Sequence, residues 1–185
     1  MSQSPKSVCV FCGARCGVLP DYAQAARDTG AMLARNHWRL VYGAGDIGLM
    51  GLVAQATQAA GGKTFGVIPT HLLGMEAGKR DLDTFVITET MHERKKVMFM
   101  NADAIVMLPG GAGSLDEFFE VLTWAQLGLH TKPIILLNTL GYWDPLLALL
   151  RHVVDQGFAD ASMLALITVV HQQPDLQGAL HMALR

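Results

Sequence analysis

The sequence predicts an α/β fold, a three-layer sandwich in which a mostly parallel sheet of about seven strands carries helices on both faces. The first observation is an alternation, along the whole chain, of short apolar runs with longer segments of helical periodicity. Such alternation is typical of parallel sheets wrapped by helices. The second observation is that three of the apolar runs end in glycine-rich segments. In open parallel sheets, ligands bind beyond the carboxyl ends of the strands, where such segments lie.

Each strand is predicted from a short run that is rich in Val, Ile, Leu or Phe. The runs are residues 8–12, 39–43, 63–68, 85–88, 104–108, 133–138 and 166–170. Helices are predicted between them, near 21–36, 48–60, 91–101, 114–127, 143–156 and 174–184. Gly128 and Gly157 are well placed to end two of these helices. Segment 69–84 is too long for an ordinary connection and is a candidate flap over a site.

The length of 185 residues and the apolar content of 51% fit one domain, residues 1–185, with a full hydrophobic core. The net charge of −2 gives no broad basic surface, so we do not expect the protein to bind DNA or RNA. No apolar stretch approaches the roughly 18 residues of a membrane span, and the first residues do not have the pattern of a secretion signal. We therefore expect a cytoplasmic protein that has no membrane partner.

The three cysteines, Cys9, Cys12 and Cys16, are bunched near the end of the first predicted strand. An odd number of cysteines suits a reducing compartment better than a disulfide framework. Their spacing raises the alternative of a metal site, but no second Cys/His cluster completes four ligands. We therefore favour one buried cysteine, Cys9, and two thiols in a loop.

A G-x-G-x-x-G motif is formed by Gly43, Gly45 and Gly48, between a predicted strand and a predicted helix. This pattern is typical of dinucleotide-binding loops. Here it follows the second strand rather than the first, and the next strand does not end in the acidic residue that would bind a ribose hydroxyl. The motif alone is therefore weak support for a dinucleotide site.

The segment PGGAGS, residues 109–114, is more informative. Backbone without side chains lets several N–H groups converge on an anion at the start of a helix, and a monophosphate fits such a loop. The alternative is an ordinary capping box, with Ser114 as the N-cap and Glu117 three residues later.

Glu117 is set apart from the apolar stripe of its predicted helix. At 100° per residue, Leu115, Phe118 and Leu122 share one side, and Glu117 lies on nearly the opposite one. We expect Glu117 to project from the first turn, where the helix dipole stabilises a carboxylate, and to act as a base or an electrostatic stabiliser. If a phosphate binds nearby, a cation must offset the two negative charges.

The predicted helix 91–101 supplies that cation on its apolar side. Arg94 lies near the middle of an arc that it shares with Met91 and other apolar residues. A guanidinium there needs an anionic partner, because burying it unpaired is costly. The alternatives to a functional role are a stem that reaches the surface and a structural ion pair. Lys95 and Lys96 fall towards the outer, solvated side, although Lys95 is close enough in phase to reach round.

Together these motifs resemble the Lonely Guy (LOG) family, the cytokinin riboside 5′-monophosphate phosphoribohydrolases, whose bacterial members have often carried a lysine decarboxylase label. The pair M-H-x-R-K and P-G-G-x-G-[TS]-x-x-E, in this order and spacing, is highly specific. The resemblance covers almost the whole chain and runs through VFCGARCG (10–17), LVYGAGDIGLMG (40–51), GVIPTHL (66–72), MHERK (91–95), PGGAGSLDE (109–117) and the segment 123–147.

The resemblance implies a Rossmann-like fold, a homodimer with sites near the subunit interface, and hydrolysis of the N-glycosidic bond of adenosine-type 5′-monophosphates, either AMP or N6-substituted AMP. It implies that Arg94 and Glu117 are the catalytic residues, and that neither a metal nor an organic cofactor takes part. By the same resemblance, the substrate-binding residues are Gly110, Gly111, Gly113, Ser114, Lys95, Met91, Gly43, Gly45 and Gly13.

Four positions depart from the family pattern. Ser114 stands where threonine is usual, Asp116 replaces a glutamate, Ala44 interrupts a triple glycine, and Ala14 occupies a position where serine is frequent. The last change removes one phosphate donor, but the catalytic pair is intact. Two alternatives stay open: a non-hydrolytic nucleotide-binding or cofactor-carrier protein of the same superfamily, and a pyridoxal phosphate decarboxylase, for which no Schiff-base lysine is singled out.

Overall fold

The computed structural model describes residues 5–74 and 81–185, and in these ranges seven strands form one parallel sheet. The strands are β1 (Ser7–Phe11), β2 (Arg39–Tyr42), β3 (Thr64–Pro69), β4 (Thr84–Thr88), β5 (Ala104–Met107), β6 (Ile134–Leu137) and β7 (Ile167–Val170). Their order across the sheet is β4-β3-β2-β1-β5-β6-β7. The predicted fold class and the seven predicted strands are therefore confirmed.

Helices connect the strands close to their predicted positions. They are α1 (Pro20–Arg35), α2 (Gly48–Ala59), α3 (Met91–Met100), α4 (Ala112–Gln126), α5 (Asp144–Asp155) and α6 (Gln173–Ala183). Gly128 and Gly157 follow α4 and α5 with φ of +71° and +79°, the left-handed conformation that ends helices. Within the described ranges, none of the helices is long and apolar enough to cross a membrane.

The strands divide their side chains between two cores. In β1, Val8 and Val10 pack with residues of α1, α2 and α6, whereas Cys9 and Phe11 pack with residues of α3, α4 and α5. Successive side chains of a strand point to opposite faces of the sheet. Because both faces are covered, the strands are apolar throughout rather than alternating.

The chain changes direction across the sheet between β1 and β5. From β1 it moves outward through β2, β3 and β4, and from β5 it moves the other way through β6 and β7. Ligands of open parallel sheets bind at such a switch point, beyond the carboxyl ends of the strands. The loops after β1 and β5 meet there, because the Gly13 N–H donates a hydrogen bond of 3.0 Å to the Pro109 carbonyl.

The segment predicted as a flap, 69–84, begins where β3 ends at Pro69. A 3₁₀ helix, Thr70–Leu72, follows, and β4 begins at Thr84. Residues 75–80 lie outside the described residues, so the flap stays a prediction.

Candidate functional site

A cavity of about 440 Å³ lies beyond the carboxyl ends of β1, β2 and β5. Both predicted catalytic residues, Arg94 and Glu117, line it, although they come from different helices, α3 and α4. The predicted binding residues that also line it are Gly13, Gly43, Met91, Gly110, Gly111, Gly113 and Ser114. The volume suits a small-molecule ligand.

Helix α3 holds Arg94 against the sheet. A capping box fixes its first turn: the Thr90 hydroxyl accepts a hydrogen bond from the Glu93 N–H, and the Glu93 carboxylate accepts one from the Thr90 N–H. Arg94 is 4% exposed. Its Nε donates to the Val67 carbonyl at 3.1 Å, and its Nη2 donates to the Gly43 carbonyl at 2.6 Å. The guanidinium thus joins the carboxyl ends of β2 and β3.

Gly43 is required for this approach of the guanidinium. A Cβ atom built at Gly43 would overlap with Nη2 of Arg94. The sequence predicted an anionic partner for Arg94, and backbone carbonyls of neighbouring strands were not expected. These carbonyls could not be predicted, because the pattern of side chains in a sequence does not show which backbone groups the fold brings together.

Helix α4 begins two residues earlier than predicted, which corrects two expectations. Gly111 is its N-cap, and no side chain among the described residues caps it. Ser114 is therefore the third helical residue rather than the N-cap, so the alternative of an ordinary capping box with Glu117 is ruled out. Glu117 lies in the second turn rather than the first, where the influence of the helix dipole is weaker. The backbone of Gly111 has the extended conformation of an N-cap, and the helical residues begin at Ala112.

The loop before α4 is held by its carbonyl groups. Three successive carbonyls each accept one hydrogen bond: Pro109 from the Gly13 N–H at 3.0 Å, Gly110 from the Tyr142 hydroxyl at 2.6 Å, and Gly111 from the Leu115 N–H at 3.1 Å. In a trans peptide the N–H points away from the C=O of the same plane. Each N–H of residues 110 to 112 therefore points away from the hydrogen bond that the carbonyl of its own peptide plane accepts, and these N–H groups lie at the N-terminus of a helix, as in anion-binding loops.

Ser114 and the glycines shape the surface of this loop. Ser114 is buried, and a Cβ atom at Gly110 would overlap with its Oγ, so the serine hydroxyl packs directly on the loop. A Cβ atom at Gly111 or Gly113 would meet no described atom within 4 Å. The second and third glycines therefore leave open space in which a ligand can approach the backbone.

The negative charge of Glu117 affects two cysteine thiols, one of which lines the cavity. Burial, and next the negative charge of Glu117, raise the pKa of Cys12, which also lines the cavity. The same two causes raise the pKa of Cys9. Cys9 is buried as predicted; Cys12 follows β1 but is buried too, and Cys16 is exposed. In residues 5–74 and 81–185, no group of three or more His, Cys, Asp or Glu side chains is placed to hold a metal ion.

Lys95, predicted to bind substrate, lies outside the lining of the cavity. It is buried instead of solvated, and its Nζ forms ion pairs with Asp116 at 2.9 Å and Glu120 at 3.2 Å, both on α4. Burial lowers the pKa of Lys95, but the hydrogen bonds to these carboxylates outweigh it and the net effect raises the pKa. Lys95 therefore joins α3 to α4.

Gly45 also lies outside the cavity lining. The helix that follows this loop, α2, uses its first N–H groups for contacts within the protein. The Gly13 carbonyl accepts hydrogen bonds from the N–H groups of Leu49 at 3.0 Å and Met50 at 3.3 Å. A Cβ atom at Gly48, where φ is +61°, would overlap with the backbone of Ala14. The first amides of α2 thus support the loop after β1. This agrees with the weak support for a dinucleotide site.

Several residues that line the cavity were not among those predicted from the sequence. Tyr22 and Tyr142 belong to its wall, as do Cys12 and Leu72. Tyr142 follows the 3₁₀ helix Thr139–Gly141, just beyond the end of β6. Its place at the carboxyl edge of a predicted strand was the signal that could have identified it.

The fold and the cavity define a Rossmann-like α/β protein with a glycine-rich loop that lines a cavity at its switch point. The family model described as "Possible lysine decarboxylase" matches residues 50–180. The chain is 43% identical to the cytokinin riboside 5′-monophosphate phosphoribohydrolase of Rhodococcoides fascians, over 96% of this chain and 88% of that protein. It is 46% identical to the cytokinin riboside 5′-monophosphate phosphoribohydrolase LOG7 of Arabidopsis thaliana, over 83% and 70%. The chain therefore belongs to the LOG family.

Solved structures with the same fold are more distant in sequence. The molybdenum cofactor binding protein of Rippkaea orientalis superposes with a TM-score of 0.75 at 18% identity, over 100% of both chains. The molybdenum cofactor carrier protein of Chlamydomonas reinhardtii gives a TM-score of 0.73 at 21% identity, over 98% of this chain and 99% of that one. At these identities the likeness concerns the fold alone.

Proposed function

We propose that this protein hydrolyses the N-glycosidic bond of adenosine-type 5′-monophosphates, such as isopentenyl-AMP or AMP, to the free base and ribose 5-phosphate, and thereby activates cytokinins. The observation that carries this proposal is that Arg94 and Glu117 line one cavity together with the glycine loop before α4. The names of the relatives at 43% and 46% identity support the class of substrate.

The proposed reaction uses the two charged residues at the anomeric carbon. As the bond between C1′ and the purine nitrogen breaks, its electron pair leaves with the base and C1′ gains positive charge, as in other glycoside hydrolyses. Glu117 stabilises that charge and orients or deprotonates the water that adds to C1′. Arg94, held by two backbone carbonyls, keeps a positive charge beside the carboxylate and contacts the nucleotide. No metal or organic cofactor is required.

The phosphate group provides the binding energy that positions C1′. In the proposed complex it is bound by the backbone amides of Gly110, Gly111 and Gly113 and by the hydroxyl of Ser114. Binding a part of the substrate that does not react can position the part that does. A nucleoside without the phosphate is therefore expected to be a poor substrate.

The test is to incubate the purified protein with AMP, isopentenyl-AMP and the two corresponding nucleosides, and to measure free base and ribose 5-phosphate by chromatography. We expect both products from at least one monophosphate and much slower turnover of the nucleosides. Nucleotide binding without turnover would favour a carrier protein instead. Equal turnover of a nucleoside and its monophosphate would contradict the role of the glycine loop.

Glu117→Gln tests the carboxylate directly. Because the amide cannot carry the negative charge, kcat should fall by about 100-fold or more, while the Kd for AMP changes little. The matched control is Glu89→Gln, which alters an exposed carboxylate on the turn before α3 and should leave kcat unchanged. Retention of activity in Glu117→Gln would remove this residue from the mechanism.

We also propose that the protein is a cytoplasmic homodimer. The C-terminal ends of α3 and α4 are neighbours, because the rings of Phe99 and Trp124 are 5.0 Å apart. Exposed apolar side chains lie at or just beyond these ends, Met100, Leu127 and Leu129, and Phe119 is exposed in the middle of α4. Apolar residues clustered on a surface favour association. Light scattering should give twice the mass of one chain, and Leu129→Asp should lower it. A monomeric wild-type protein would contradict this proposal.

A further inference from the structure

We propose that Tyr142 is a positioning residue, which selects phosphorylated substrates by fixing the direction of one amide in the anion-binding loop. This inference rests on the proposed function. It begins from the hydrogen bond of 2.6 Å that the Tyr142 hydroxyl donates to the Gly110 carbonyl. Tyr142 lines the same cavity as the loop.

The peptide plane between Gly110 and Gly111 is the one that Tyr142 controls. The planes before and after it are held by the N–H groups of Gly13 and Leu115, which belong to the backbone. The middle plane is held by a side chain. Because the C=O of Gly110 and the N–H of Gly111 share one rigid plane and point in opposite directions, a bond that fixes the carbonyl also fixes the amide. Two adjacent glycines would otherwise allow this plane to rotate.

A rigid turn places Tyr142 within reach of the loop. Leu140 and Gly141 have φ of +52° and +74°, so the chain turns sharply after β6. Asn138 is buried, and its side chain accepts a hydrogen bond of 2.7 Å from the Trp143 N–H and donates one of 2.7 Å to the Asp144 carboxylate. These bonds close the turn around Tyr142.

The position of the ring does not depend on its hydroxyl group. The ring of Tyr142 makes edge-to-face contacts with Tyr22, at 5.4 Å between centroids, and with Trp143, at 4.8 Å. Such contacts hold the ring by packing. Tyr142→Phe should therefore keep the ring in place and remove only the hydrogen bond to Gly110.

The loss of one hydrogen bond of this kind corresponds to about a 3- to 10-fold effect. In Tyr142→Phe we expect the KM of the 5′-monophosphate and the inhibition constant of ribose 5-phosphate to rise about 3- to 10-fold. The inhibition constant of adenine, which has no phosphate, should stay unchanged, and kcat should change less than KM. A purely structural role of Tyr142 would weaken both inhibitors alike.

The experiment compares wild type, Tyr142→Phe and Tyr142→Ala by calorimetric binding of ribose 5-phosphate and adenine, by steady-state kinetics and by melting temperature. Tyr142→Phe should melt close to the wild type, whereas Tyr142→Ala, which loses the ring contacts, should melt lower. Unchanged binding of ribose 5-phosphate in Tyr142→Phe, or equal weakening of both ligands, would overturn the proposal. A wild type that binds ribose 5-phosphate without hydrolysing nucleotides would overturn the proposed function, and Tyr142 would still be tested by binding.

Discussion

The ammonium group of Lys95 lies 2.9 Å from the carboxylate of Asp116. Lys95 directly follows Arg94 on α3, and Asp116 directly precedes Glu117 on α4. A second ion pair, from Lys95 to Glu120 at 3.2 Å, strengthens the link. The two helices that carry the proposed catalytic pair are therefore tied together one residue away from it.

Lys95→Met should remove this link while keeping the length of the side chain. Since Lys95 is buried and its partners are partly exposed, we expect a loss of about 1 to 3 kcal/mol in the free energy of unfolding. Because small displacements of reacting groups slow catalysis strongly, kcat should fall about 10- to 100-fold with KM nearly unchanged. Denaturant unfolding and steady-state kinetics provide both measurements.

The control for this prediction is Lys63→Met. Lys63 is paired with Asp83 at 2.7 Å, but its side chain is 69% exposed. It directly precedes β3, at the amino ends of the strands, whereas the cavity lies beyond their carboxyl ends. Neither kcat nor KM should change in this variant. If Lys95 instead binds substrate, as the family resemblance implies, Lys95→Met should raise KM and leave kcat near the wild-type value.

Arg94→Lys should lower kcat by about 100-fold even though the charge is kept. A lysine ammonium cannot reproduce the planar guanidinium that donates to the carbonyls of Val67 and Gly43 together. The matched control is Arg39→Lys, because Arg39 also donates to a backbone carbonyl, that of Asn101, but near the amino end of β2. Wild-type activity in Arg94→Lys would show that only the charge matters.

Gly43→Ala should lower kcat strongly by displacing Arg94. The added methyl group would overlap with the guanidinium, so kcat should fall as in Arg94→Lys. Gly178→Ala is the control: a Cβ atom there meets no described atom within 4 Å, and the residue lies inside α6. That change should raise stability by up to about 1 kcal/mol without affecting activity. An active Gly43→Ala variant would show that the guanidinium can relocate.

The cysteines should differ sharply in reactivity. Burial raises the pKa of Cys9 and Cys12, so few of their thiols form the reactive thiolate. An aromatic disulfide reagent at pH 8 should therefore label one thiol rapidly, that of exposed Cys16, and all three after denaturation. Since Cys16 lines the cavity, AMP should slow its labelling. Rapid labelling of two thiols would contradict the burial of Cys12.

Most of the fold could be predicted from the sequence, because the spacing of apolar residues along the chain shows which side chains are buried. The strands are covered on both faces, so each one appears as a compact apolar run, and glycines at positive φ mark helix ends at residues 128 and 157. The start of α4 was placed too late. A serine followed three residues later by a glutamate has the pattern of a capping box, but glycine can cap a helix without any side-chain signal.

Residues of the site could be predicted only where the type and the helical position of a side chain are unusual in the sequence. Helical phase marked Arg94 and Glu117 as unusual, and the family resemblance names the same two residues; glycine composition marked the loop before α4. Phase misplaced Lys95, because carboxylates on a neighbouring helix made its burial favourable. Tyr142 was missed since its partner is a backbone carbonyl, far away in the chain, and such partners depend on tertiary structure.

Two of the loops that form the cavity follow β1 and β5, which lie side by side in the interior of the sheet. Val10 and Val106 are paired there, and both are almost fully buried. Their amide protons should exchange with deuterium only when the whole molecule unfolds, whereas those of the edge strand β4 should exchange earlier through local opening. The part of the cavity formed by the ends of β1 and β5 would then keep its shape on the timescale of catalysis. Any change in cavity shape that accommodates different bases must come from the surrounding loops and helices.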